Sequence, residues 1–192
     1  LPGGSLARWP ALASLHTRLV EPASLRWLGA ASIGAGVALG IYTGILLSTL
    51  GARPLWASAV LGPLFLVSGL STGAAFAHMI ARDHDEESTL LRADVLFLAV
   101  ELALVALFLI GHLTSGAQHS NAVALLLGGP YTAVFWVLVV GLGIAFPLLV
   151  QSLMITRRIG HTIVAPLLVM LGGLALRFVI VSAGQYSHWI TP

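Results

Sequence analysis

An all-helical membrane bundle of about five transmembrane helices is the fold class predicted by this 192-residue sequence. Charged residues make up 8% of it and hydrophobic residues 58%, whereas a soluble domain carries about 25% charged residues. The mean hydropathy is +0.98. Five apolar stretches, at 27–50, 55–80, 92–113, 131–155 and 162–186, each approach the ~20 residues that a helix needs to cross the hydrocarbon. Residues 1–26 hold Arg8, Arg18, Arg26, Trp9, His16, Pro10 and Pro22, too polar and too broken by proline to span. They read as a surface segment, and 187–192 as a short tail. The chain opens at Leu1 without methionine or a charged-then-apolar leader, which predicts that a further segment precedes it.

Cysteine is absent, so no disulfide and no cysteine-held iron–sulfur cluster can be built from this chain. All nine basic residues are arginines, and none lies in a basic stripe with interleaved aromatics, so no nucleic-acid partner is expected. Membrane lipid is the expected surroundings. Seven arginines (Arg8, Arg18, Arg26, Arg82, Arg92, Arg157 and Arg158) fall on one side, and the other side has only Arg53. The positive-inside rule then makes the N-terminus cytoplasmic and the C-terminus external. The acidic run Arg82–Glu87, RDHDEE, reads as a solvated loop in preference to a metal site. Glycines recur in the first, second and fifth stretches (Gly29, Gly36, Gly40, Gly44; Gly69, Gly73; Gly172, Gly173), where small residues let helix backbones approach.

The stretch Gly40–Trp56, GIYTGILLSTLGARPLW, joins the first two spans. With 1.5 Å of rise per residue, Tyr42 lies about 12 Å inside the hydrocarbon when Leu50 marks its edge, and Arg53 lies at the interface. A phenol at that depth needs a hydrogen-bond partner. Pro54 suits the start of the next helix, and Trp56 suits the interfacial aromatic belt.

Ionisable groups within spans mark function by default. Asp94 and Glu101 are seven apart on the third stretch, so both project from nearly one face. Arg177 lies about 22 Å along the fifth, close to the depth of Tyr42. Two readings are open: a polar pocket with a proton route through Asp94, Glu101 and Arg177, or a Glu101–Arg177 ion pair that fixes helix register. His78 and His161 sit near helix ends at one level, the arrangement a b-type haem would use, but both are at an interface where histidine is easily solvated. His112, His119 and His188 fall at or beyond the outer edge. Pro147 and Pro166 are expected to kink the fourth and fifth helices, and Gln151 adds a polar group to the fourth.

Taken together, Tyr42 with the ARPLW run ending at Trp56, RADVLFLAVEL with Asp94 and Glu101, and LRFVIVSAGQ from Leu176 to Gln185 resemble the quinone-reactive membrane subunits of the NrfD and polysulfide-reductase type. The resemblance covers most of the chain, as the C-terminal part of a bundle of eight or more helices, and implies about three preceding helices. It further implies a multi-pass subunit of a bacterial or archaeal cell membrane. Such a subunit binds menaquinone or ubiquinone near the outer face and exchanges electrons with an iron–sulfur subunit, and a molybdopterin catalytic subunit commonly completes the complex. No haem or metal is expected in this chain. The resemblance implies a place for Tyr42 and Arg53 at the quinone pocket, and one for Asp94, Glu101 and Arg177 on a proton path. Quinol oxidation releases two protons and two electrons, so the site needs a hydrogen-bonding group at the ring oxygen and a proton exit. The alternative is a passive anchor for a peripheral enzyme.

Overall fold

The computed structural model describes residues 22–49, 53–81, 84–157 and 162–188. Of the residues singled out above, Arg8, Trp9, Pro10, His16, Arg18, Arg82, Arg158 and His161 lie outside them. The described residues are helices joined by short turns, with no strand among them. Their elements are α1 (Pro22–Thr49), α2 (Leu61–Ile80), α3 (His84–Thr114), α4 (Ala117–Leu127), a π-helical segment (Val134–Ala145) that continues into α5 (Phe146–Arg157), and α6 (Val164–Tyr186). Five helices are long and apolar enough to cross a membrane, so the fold class is as expected.

Four boundaries depart from expectation, each for a local reason. The second span begins at Leu61, not 55. Residues 54–56 form a turn instead, closed by the Trp56 N–H donating to Arg53 O at 3.1 Å. The acidic run is not a loop from His84 onward but the first turn of α3, where Asp85, Glu86 and Glu87 meet the positive end of the helix dipole. The long connection after the third span contains α4, entered through Gly116 at φ 114°, a backbone conformation that glycine adopts without steric cost. Pro147 follows a change of winding. The turns before it are π-wound, and the Phe146 N–H bonds to Gly141 O five residues back. Proline lacks an N–H, and its ring cannot sit against an α-helical carbonyl four residues earlier.

The chain divides into two compact units, residues 1–39 and 40–192. In the first, the described part of α1 exposes Trp27, Ile33 and Leu39. In the second, α2, α3, α6 and the π-helical segment enclose a core that includes Leu61, Phe65, Leu98, Phe108, Phe135, Val139, Leu176 and Ile180. Two crossings depend on paired glycines. A Cβ at Gly172 would collide with the Gly143 backbone, and one at Gly44 with the backbone of Gly62. Gly73, by contrast, faces open space. Overpacking a tight contact typically costs about 1–3 kcal/mol, so Gly172→Val is expected to lower the thermal midpoint of the detergent-solubilised protein sharply, with Gly73→Ala near wild type. Equal midpoints for the two would remove the close-approach account.

Candidate functional site

The Arg53–Trp56 turn is held by three elements of the bundle. Arg53 Nη1 donates to Ser187 O at 2.9 Å and contacts the His188 ring. Trp56 Nε1 donates to Ile180 O at 3.0 Å, and its ring occupies the space a Cβ on Gly184 would need. Trp56 therefore packs against α6. His119 Nδ1 lies 3.1 Å from Pro54 O. His112, 2% exposed, places Nε2 3.1 Å from Leu55 O and Nδ1 2.9 Å from Phe108 O. A neutral imidazole donates through one of these nitrogens. Backbone carbonyls in need of a donor thus hold the His112 ring inside the bundle, and His78, expected at a solvated interface, is likewise buried.

Beneath that turn the bundle interior carries two polar layers. Asp94 is fully buried and accepts from Ser71 Oγ at 2.9 Å and from Gln151 Nε2 at 2.8 Å, so α2, α3 and α5 meet at one carboxyl group. The other end of the Gln151 amide, Oε1, is buried with no hydrogen-bond partner among the described residues. Two turns along α3, Glu101 is 3% exposed and interacts with Ser68 and, at longer range, with Arg177. The Arg177 guanidinium lies 3.0 Å from Gly173 O, 3.3 Å from Phe65 O and 3.5 Å from Ser68 Oγ. Glu101 and Arg177 are therefore linked through Ser68 and form no direct ion pair.

Arg177 also sits 5.9 Å from the Phe65 ring centroid, a cation–π distance, at the wall of a cavity of about 270 Å³ lined by Thr43, Leu46, Leu47, Phe65, Arg177 and Val181. The level of Tyr42 on α1 does meet that of Arg177 on α6, but the residue that reaches the cavity is Thr43. Tyr42 is 59% exposed and has no hydrogen-bond partner among the described residues. Arg53 belongs to the turn and is not among the residues lining this cavity. Of the two histidines weighed for haem, His78 is buried beside Glu87, with Nε2 and Oε1 3.5 Å apart.

The model of the family described as polysulphide reductase, NrfD matches residues 4–187. The chain belongs to the NrfD family. It is similar to a protein NrfD homolog of Haemophilus influenzae, 31% identical over 92% of this chain and 56% of that protein. It is also similar to protein NrfD of Escherichia coli, 35% identical over 79% of this chain and 50% of the relative. A polysulfide reductase chain of Wolinella succinogenes is 31% identical over 78% of this chain and 50% of its own length. The chain spans about half the length of these curated relatives. No solved structure matches.

In this NrfD-family chain the motif on α3 gains its partners from helices whose sequence carries little polar signal. Ser68 and Ser71 stand in LVSGLSTG, a run that reads as small-residue packing. They lie three apart on one face of α2, opposite two carboxylates seven apart on α3. That complementary register is the signal from which they could have been found.

Proposed function

We propose that this chain is the quinone-facing part of a multi-pass membrane subunit of a bacterial or archaeal respiratory oxidoreductase complex. In this reading it serves electron exchange between membrane quinone and a partner iron–sulfur subunit, beside a molybdopterin catalytic subunit. Its N-terminal side faces the cytoplasm and the Arg53 turn faces outward, as the arginine count favours. The observation that carries the reading is the Arg177–Phe65 cavity, placed one residue from Tyr42 on α1 and directly above the Glu101 and Asp94 layers.

The cavity suits menaquinone or ubiquinone on chemical grounds. Leu46, Leu47 and Val181 supply apolar walls, and the Arg177 guanidinium, with five N–H donors, supplies the donor that a ring oxygen requires, while the Thr43 hydroxyl at the same wall donates to Gly40 O at 3.0 Å. A quinone carries the two-electron chemistry when bound. What the chain's own groups contribute is orientation, an electrostatic setting, and a place for protons. Glu101, joined to Arg177 through Ser68, is the nearest buried carboxyl group, and Asp94 lies two turns below it. Tyr42 presents its phenol on the exposed face of α1, from which a further hydrogen bond to a quinone oxygen can be made. Passive anchoring would leave this cavity without a role and the two buried carboxyl layers as structural clamps alone.

Tyr42→Phe in the assembled complex is the direct test. One neutral hydrogen bond is worth about 0.5–1.5 kcal/mol, so quinol-driven reduction of the partner's clusters is expected to slow by roughly two- to tenfold, with assembly and bound quinone retained. Unchanged turnover, together with absence of bound quinone from the wild-type complex, would favour the passive anchor.

A further inference from the structure

The row of buried acids is longer than the sequence suggested. Because α3 begins at His84, Glu87, Asp94 and Glu101 stand at seven-residue intervals on one helix, about 10.5 Å apart per step and on nearly one face. Opposite them on α2 stand His78, Ser71 and Ser68: His78 Nε2 is 3.5 Å from Glu87 Oε1, Ser71 bonds Asp94, and Ser68 serves Glu101. Within the acidic first turn of α3, Asp85 and Glu86 are exposed, while Glu87 is turned in, with its side chain 19% exposed.

At this level lies a cavity of about 110 Å³ whose walls include His78, Glu87, Thr162 and Pro166. A water occupies about 30 Å³ in the liquid, so the cavity has room for several waters beside a histidine and a carboxylate. It is on the arginine-rich side of the bundle, the end opposite the Arg53 turn. We infer that the His78–Glu87 cavity is the mouth through which protons pass between water on the arginine-rich side and the buried carboxyl row. The inference rests on the proton route proposed above and adds its terminus. Imidazole and carboxylate exchange protons readily near neutral pH, and Glu87, turned into the bundle with its side chain still 19% exposed, is placed to pass a proton between water and the interior. The next acid, Asp94, is a full two turns away, so a proton crossing from one to the other needs water to bridge them.

The test uses the complete complex in sealed proteoliposomes, with quinol oxidation and proton movement recorded together. Glu87→Gln is expected to lower protons moved per electron at least fivefold. Thr162→Phe, which fills the cavity from its rim without touching either ionisable group's chemistry, is expected to do the same. Glu86→Gln, on the exposed side of the same turn, should leave the ratio at wild type. If Glu87→Gln does not assemble, His78→Gln and Thr162→Phe carry the comparison. Wild-type ratios in the assembled variants would overturn the mouth while leaving the carboxyl route standing. A wild-type complex that oxidises quinol and moves no protons would overturn the route and the mouth together.

Discussion

Arg177→Met in the assembled complex is expected to raise the KM for quinol about 10- to 100-fold, because a hydrogen bond from a charged donor is worth about 1.5–3 kcal/mol and each 1.4 kcal/mol is a factor of ten. The guanidinium is fixed for this role by Phe65 O, Gly173 O and Ser68 Oγ and by the Phe65 ring below it. Arg177→Lys should recover only part of the loss. An ammonium has no planar fork with which to reach Phe65 O and Gly173 O together, so its position in the cavity would be set less firmly. Arg177→Met also removes the cation that faces Glu101 and leaves an acid buried without its counter-charge. For that reason the double variant Glu101→Gln/Arg177→Met should be more stable than Arg177→Met alone, since it no longer buries an acid that has lost the cation reaching it across Ser68. The checks are a Michaelis analysis with quinol in detergent and thermal midpoints of the three variants. An unchanged KM in Arg177→Met would take quinone out of the Arg177 cavity.

The sequence made some of this legible and hid the rest for physical reasons. Five spans are visible because lipid demands long apolar helices with satisfied backbones, and the depth of a residue along a span follows from rise per residue alone. Hence Tyr42 and Arg177 could be placed at one level before any contact was known, and Thr43 and Arg177 do line one cavity. Direction around the helix axis was much harder to read. α1 is apolar on all sides, so nothing in its sequence says that Thr43 faces the cavity while Tyr42 is exposed. The turn was misread for a related reason. Pro54 and Trp56 each have a familiar place at a membrane interface, but their positions are set by His112, His119 and Ile180, residues far away in the chain. Serine is likewise ambiguous in a membrane helix, where it both allows close packing and offers a hydroxyl. Ser68 and Ser71 are resolved as polar partners only by the carboxylates across from them.

Asp94 offers the sharpest separation of structural from chemical roles, since two substitutions of nearly equal size should part company. Asp94→Leu leaves the Ser71 hydroxyl and the Gln151 amide buried without an acceptor. At about 1–3 kcal/mol for each stranded donor, a loss of about 2–6 kcal/mol follows, enough to prevent assembly of a marginally stable bundle. Asp94→Asn does not carry that penalty. Its carbonyl oxygen still accepts from Ser71 Oγ, and its new N–H₂ needs an acceptor where Gln151 Nε2 now donates. Gln151 can supply one by turning its amide over, because its Oε1 has no other hydrogen bond to give up among the described residues. The same turn would serve a protonated Asp94, so the clamp accepts the carboxyl group with or without its proton. Asp94→Asn is therefore expected to assemble where Asp94→Leu does not, at a smaller cost of about 1–3 kcal/mol for the Gln151 N–H₂ that the turned amide carries to the position where Oε1 has no partner, yet to move protons at least tenfold more slowly, since an amide cannot carry one at neutral pH. Proteoliposome proton uptake set beside thermal midpoints of the two variants decides the matter. If Asp94→Asn moved protons at the wild-type rate, Asp94 would be a structural clamp between α2, α3 and α5, and the route through the bundle would have to pass elsewhere.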